Sequence, residues 1–120
     1  FNTEAFDTES NASSTIHDTA SNNSRLTCRT AGKYLINACV EWAPNATGVR
    51  YMLFLLNGAT TIAEDSCPGN ATFSSMSLTT IYDLAVNDYV EVQVYQSSGG
   101  ALNATTNSPA APSFQMARIA

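Results

Sequence analysis

Apolar and polar positions alternate along several stretches of the chain. In 89–95, Val90, Val92 and Val94 fall on one face and Tyr89, Glu91, Gln93 and Tyr95 on the other, the period of two that a half-buried strand requires. Residues 32–42 alternate in the same way and place Tyr34, Ile36, Ala38, Val40 and Trp42 on an inward face. The apolar run 51–56 is helix or strand by pattern alone. Asn57-Gly58 follows it directly, however, and Thr60, Thr61 and Ile62 come next. Asn-Gly between two such runs is the strongest short-range hairpin signal, so the prediction is strand, turn, strand. Weaker strands are predicted over 4–8, 25–29, 71–84 and 112–119. Eight strands at intervals of roughly 8 to 15 residues, with no helix to cover a parallel sheet, predict an all-β antiparallel sandwich or jelly roll. The prediction is one domain over 1–120, without internal repeat or linker.

Composition makes this picture unusual. Charged residues are 12% of the chain, about half the usual share, so Ser, Thr and Asn supply most of the polarity. Leu, Ile, Val and Phe make up only roughly one-fifth of the chain, a thin core for a domain of this size. The net charge is -5, and Arg25, Arg29, Lys33, Arg50 and Arg118 are scattered. Nucleic acid, which needs clustered cations to displace counterions, is therefore not an expected partner. An apolar run of six residues is far short of the roughly 20 that cross a bilayer, so membrane insertion is not expected either. The chain starts at Phe1 with no basic-then-apolar leader, and the expectation is a piece of a longer chain.

Catalytic chemistry is poorly provided for. A triad at the single histidine, His17, would need an acid beside it, yet Asp18 is its sequence neighbour and on a strand would point to the opposite face. His17 is read as a loop or interface residue. Cys28, Cys39 and Cys67 show no metal-ligand spacing with His17. Hairpin geometry separates Cys28 from Cys39 beyond disulfide reach. Cys39 with Cys67 is the less strained pair, and buried free thiols are the default. Glu41 and Glu64 are the one conceivable glycosidase pair, with nothing in the sequence to bring them together. Ser97-Ser98-Gly99-Gly100 lacks the Lys-Ser/Thr of a phosphate loop. The expectation is a chain that is not an enzyme.

Several segments resemble C1q-like globular domains. The stretch 26–35, Leu-Thr-Cys-Arg-Thr-Ala-Gly-Lys-Tyr-Leu, is similar to that family's strand, tight turn and strand. Asn87-Asp88-Tyr89-Val90-Glu91-Val92 resembles its Gly-Asp-x-Val-x-Leu segment, and Phe114-Gln115-Met116-Ala117 its closing strand. Arg25-Leu26-Thr27, the run 95–103 and the ending 114–119 are similar to C1q-like domains of bacteriophage and bacterial surface proteins. The resemblance spans 6–119. Asn87 stands where the family usually has Gly, and Met116 where animal members have Gly, so the animal branch fits less well. The resemblance implies a ten-stranded jelly roll of the tumour-necrosis-factor type, homotrimeric, with both termini at one end. Burial between subunits would then supplement the thin core, with Leu35, Phe114 and Met116 as candidate interface residues. Some trimeric relatives bind calcium. Glu64, Asp65, Asp83 and Asp88 are the acidic residues nearest strand ends, no spacing singles them out, and solvated surface charge is the preferred reading, so no cofactor is assigned.

In a jelly roll whose termini share a base, loops sort by parity. The short turns Thr30-Ala31, Asn57-Gly58 and 85–88 belong to the base, and the long segments 9–24, 43–48, 67–70 and 98–111 to the far end. Every Asn-x-Ser/Thr triplet, at Asn11, Asn22, Asn45, Asn70 and Asn103, is expected in or beside a far-end loop. The triplets read either as glycosylation acceptors or as ordinary turn residues. Asn45, Thr47, Asn70, Ser97, Ser98 and Asn103 are the candidate binding residues, suited to hydrogen-bonding a host-surface receptor or glycan. The functional expectation is a non-enzymatic trimeric head of a phage fibre or virion-surface protein, on the virion surface or extracellular, that attaches to a host. The alternatives are a trimerisation cap or capsid decoration without a receptor, and a secreted C1q-like or tumour-necrosis-factor-like ligand.

Overall fold

Each alternating stretch has one apolar face to hide, and two sheets packed face to face hide both. In a computed structural model, which describes residues 4, 7, 15–106 and 112–120, seven strands do this. They are β1 (Arg25–Thr27), β2 (Gly32–Trp42), β3 (Asn45–Leu56), β4 (Thr60–Asn70), β5 (Ser74–Leu84), β6 (Tyr89–Gln96) and β7 (Ser113–Arg118). The chain is all-β, with no helix among the described residues and hence none long and apolar enough to cross a membrane. Its strands form two antiparallel sheets, ordered β1-β6-β3-β4 and β5-β2-β7. Pairing is nested: β3 with β4, β2 with β5 and β1 with β6. The chain is thus a long ribbon doubled back at Asn57-Gly58, with β7 returning to flank β2.

The doubling point has the predicted chemistry. Asn57 and Gly58 take φ of 52° and 71°, and Ala59 N–H donates to Leu56 O at 3.1 Å, a type I′ turn whose twist suits the strands it joins. Beside it, Asn57 Oδ1 accepts from Tyr89 N–H at 2.9 Å while its Nδ2 donates to Asp88 Oδ1 at 2.8 Å. Asp88 Oδ2 accepts from Ala85 N–H at 2.9 Å. Cys28 N–H donates to Asp88 O and Asn87 N–H to Cys28 O, and Lys33 N–H reaches Ala120 O at 2.7 Å. The three short turns and the last residue thus share one end, the base, as expected.

Several boundaries differ from the sequence reading. β3 begins at Asn45 and β4 runs on to Asn70, so 43–48 and 67–70 are largely strand rather than loop. A register shift between Asn45 and Val49 lets the ladder continue through Gly48, and Pro68 is accommodated because β4 is an edge strand, where a missing N–H costs no ladder bond. The predicted strand 4–8 lies mostly outside the described residues. The segment 15–24 is not at the far end. Because β1 is three residues long and pairs with the base half of β6, the preceding chain is held low: Thr27 N–H donates to Ile16 O, Arg29 Nε to Thr15 O and Ser24 Oγ to Glu91 Oε1.

Tyr34, Ile36, Ala38, Val40 and Trp42 are all buried, and they meet Met52, Phe54, Met76, Leu78, Leu84, Val90 and Cys28 between the sheets. Each large side chain so buried contributes about 1.5–3 kcal/mol. Val94 departs from the expectation. It shares the inward face with Val90 yet is 41% exposed, because β1 stops pairing at Glu91 and β7 begins only at Ser113, leaving the far half of β6 thinly covered among the described residues.

Candidate functional site

At the end opposite the base, three chain segments converge on Arg50. Its neighbours Tyr51 and Val49 point elsewhere, and strand alternation turns Arg50 inward, where it is fully buried. No carboxylate meets it among the described residues. Its Nη1 donates to Thr47 O at 3.0 Å and Val49 O at 3.2 Å, and its Nη2 to Asn45 O at 2.8 Å. A guanidinium offers five donors in a fixed fork, and here three of its bonds gather the carbonyls of an irregular strand start that has lost its ladder partners to the register shift.

Two glycines let the other segments approach. A Cβ on Gly48, whose φ is +72°, would lie 2.0 Å from Ser97 O, so only glycine fits there. A Cβ on Gly69 would lie 2.7 Å from Asn45 O and 2.8 Å from Thr47 O. Ser97 locks the contact: its Oγ accepts from Val49 N–H at 3.0 Å, and its own N–H donates to Val49 O at 3.1 Å.

The structure therefore brings Asn45, Thr47, Asn70 and Ser97 together, with Asn45 directly opposite Asn70 in the ladder. Ser98 sits in the adjoining loop, where Gln96 Oε1 accepts from both its N–H and its hydroxyl. Asn103 is at the same end but on the rim of the other sheet, its carbonyl accepting from Ala43 N–H next to the Trp42–Ala104 bridge. Asn22 lies with the segment tied to the base half of β6, and Asn11 lies outside the described residues.

Much of this polarity serves the loops themselves. Asn45 Oδ1 accepts from Thr47 N–H at 2.8 Å and Asn70 Oδ1 from Thr72 N–H at 3.1 Å, the local turns that Asn favours. The Nδ2 groups of Asn45 and Asn70 and the hydroxyl of exposed Thr47 take no partner among the described residues and remain able to meet a ligand. Arg50, Gly48 and Gly69 were missed from the sequence. A lone Arg inside an apolar run, where the pattern asks for a core residue, was the available signal.

The remaining candidates are dispersed. Glu41 faces outward from β2, bonded to Thr105 and Ser75, whereas Glu64 faces outward from the other sheet, so the two are on opposite sides of the sandwich. Of the acidic residues near strand ends, Asp83 pairs with Lys33 at 3.3 Å, Asp88 belongs to the base turn, Glu64 is exposed, and Asp65 Oδ1 accepts from Ser66 N–H. No three His, Cys, Asp or Glu cluster to hold a metal among the described residues. His17 is buried in the N-terminal segment, with Nε2 3.2 Å from Asn23 O and Nδ1 3.4 Å from Glu4. Cys39 and Cys67 are free and half-buried, and Cys28 is buried with Sγ on Thr30 O and Leu84 O.

Leu35 faces outward from β2, 39% exposed. Ile81 and Ala117 are opposite it in the ladders, and Ile119 flanks Lys33. Phe114 and Met116 pair with Ala38 and Ile36, on the inward side of β7, and are half-buried against the core, Phe114 stacked on Phe54 at 6.0 Å. No protein-family model matches the chain, and no curated protein matches it.

Proposed function

We propose that the chain is a non-enzymatic head domain of a phage fibre or virion-surface protein, that it works as a jelly-roll homotrimer, and that its far end attaches to a host-surface receptor or glycan. The observation that carries this reading is the far-end assembly, in which a fully buried Arg50 gathers the segment 45–49 and two other segments close on it at Gly69 and at the Gly48–Ser97 contact. Rigid display of polar loops is what recognition requires. The nested strand order, doubled at Asn57-Gly58, supports the jelly-roll topology.

Support for the assembly comes from the outer face of the three-stranded sheet. Near the base it carries Leu35, Ile81 and Ile119, the last two 58% and 53% exposed, an apolar cluster suited to self-contact. Toward the far end the same face turns polar, through Asn37, Thr79, Ser77 and Ser75. Phe114 and Met116 would brace this sheet from within. Sedimentation equilibrium tests the assembly and predicts three times the 12.8 kDa chain mass. Binding of labelled protein to bacterial cells tests attachment, with loss expected on replacing Asn45, Thr47 and Asn70 together by Ala. A monomer at micromolar concentration, or binding indifferent to that replacement, would sink the reading.

A second reading, a capping or decorating module without a receptor, is favoured by one observation. The side-chain oxygens of Asn45, Asn70 and Gln96 are engaged within their own loops, and that of Ser97 with Val49 of the neighbouring segment. Deletion from the parent fibre separates the two: a cap abolishes trimerisation of the fibre, a head abolishes adsorption first.

A further inference from the structure

The outer face of the four-stranded sheet carries two large side chains that the fold does not bury. Tyr51 on β3 and Tyr95 on β6 are directly opposite one another, their ring centroids 6.1 Å apart and their planes inclined by 54°. They are 39% and 58% exposed, and neither hydroxyl has a partner among the described residues. They stand one position in from Arg50 and Gln96, immediately below the Gly48–Ser97 contact. The third outward tyrosine of this face, Tyr89 on β6, offers a comparison. It lies at the base, where Arg25 covers its ring at 4.4 Å. The pair at the far end has no such cover.

The surroundings are mostly polar, with half-buried Leu53 as the apolar neighbour one outward step from Tyr51 and Glu64 as the one nearby charge that faces outward among the described residues. Ser66 is opposite Tyr51 on the edge strand, Gln93 lies one outward step from Tyr95, and Ser97 and Thr47 form the rim above. Of the charges on this face, Glu91 and Arg25 lie toward the base, engaged with Ser24 and Tyr89, whereas Glu64 is opposite Leu53, level with Gln93 and one outward step from Ser66. Tyrosines giving rigid amphipathic area at little entropic cost, ringed by Ser, Gly and Asn as adaptable hydrogen-bonding groups, are the combination that recognition surfaces use. A cross-strand aromatic pair also stabilises a sheet, but that contact needs only the facing edges and leaves the outer ring surfaces free.

We propose that Tyr51 and Tyr95 form a stacking platform for a neutral oligosaccharide. A pyranose ring has an apolar C–H face and a polar hydroxyl edge. The negative face of an aromatic ring attracts the first, and amides and hydroxyls serve the second. No exposed cation lies beside the pair among the described residues, Arg50 being buried on the inward side, and Glu64 is close, which together favour an uncharged glycan over an acidic one. The inference rests on the reading of the far end as a recognition surface and names the ligand class and the groups that hold it.

The test uses affinity electrophoresis of the whole chain in gels containing mannan, dextran or galactan, with alginate as the acidic comparison. At least one neutral polysaccharide should retard the protein and alginate should not. Replacing both tyrosines by Thr keeps strand propensity and should weaken retardation at least tenfold. The conservative Tyr51→Phe/Tyr95→Phe variant should stay within about threefold of the parent, since the ring faces remain. If the Thr variant loses its near-ultraviolet circular dichroism, the single Tyr95→Thr variant carries the same expectation. Full binding by a folded Thr variant that is lost on replacing Asn45, Thr47 and Asn70 would overturn the platform and leave the far-end reading standing. Binding indifferent to both sets, or no retardation by any neutral polysaccharide, overturns both. A change in oligomeric mass with unchanged retardation would make the pair a self-contact instead.

Discussion

At the base, Asn57 and Asp88 close the sandwich with side chains that reproduce a ladder, bonding one another and accepting from the backbone N–H groups of Tyr89 and Ala85. At the far end a cation without a counter-ion among the described residues does the closing, and it leaves debts. Trp42 Nε1, Arg50 Nε and Ser74 Oγ are buried without a hydrogen-bond partner among the described residues, and all three belong to the far end. A buried donor without a partner costs about 1–3 kcal/mol, so the two ends differ in energy as well as in sequence. Local rules settle the base, where positive φ, short turns and Asn-Gly agree. The far end departs from such rules, and departures of that kind concentrate where a fold has something to do besides fold.

The contrast is open to breaking. Arg50→Ala should have the largest effect, because it frees the carbonyls of Asn45, Thr47 and Val49 and leaves a cavity: a loss of about 4 kcal/mol in urea unfolding. Arg50→Met fills the space and removes the buried charge but restores no donor. It should recover part of that loss, and full recovery would show that the guanidinium is not the clamp. Gly48→Ala comes next, at about 2–3 kcal/mol, since the methyl would meet Ser97 O as well as a strained φ. Gly99→Ala, at φ +88° in open space, should cost only the backbone part, about 1 kcal/mol, and the comparison isolates the close approach.

At the base, Asp88→Ala should cost about 1–2 kcal/mol, as Ala85 N–H and Asn57 Nδ2 lose their acceptor. On the proposed reading, cell-surface or glycan binding should not change, because the far end is untouched; a loss would mean that the ends are coupled. The smallest effect is expected at Asp18, outside both ends. Backbone N–H groups of Ala20 and Ser21 bond its carboxylate and hold its pKa below the ordinary 3.8. A group depressed in the folded state stabilises above its unfolded value, and that contribution is lost as pH falls through the folded value. The stability gap between parent and Asp18→Ala should therefore be constant above 3.8 and close below it, as followed by chemical unfolding across pH.

The five inward residues of β2 were legible because strand alternation is local: once a residue is inward, its second neighbour is too. The same reasoning found the turn at Asn57-Gly58, since few residues tolerate two successive positive φ values. It placed Asn45, Thr47, Asn70, Ser97 and Asn103 at one end, because each strand reverses the chain. It failed for 15–24, where the length of β1 mattered, and for Val94, whose inward direction is local but whose cover comes from strands distant in sequence.

Period, turn chemistry and parity thus suffice for the sheet class, the core face of β2 and the separation of the ends, because each depends on neighbours along the chain. The burial of Arg50, the fit of Gly48 on Ser97 and the meeting of Tyr51 with Tyr95 depend on register between strands about 45 residues apart. Register follows from which pairing buries the most apolar surface with the fewest unmet donors, a sum over the whole fold that no single stretch of sequence contains.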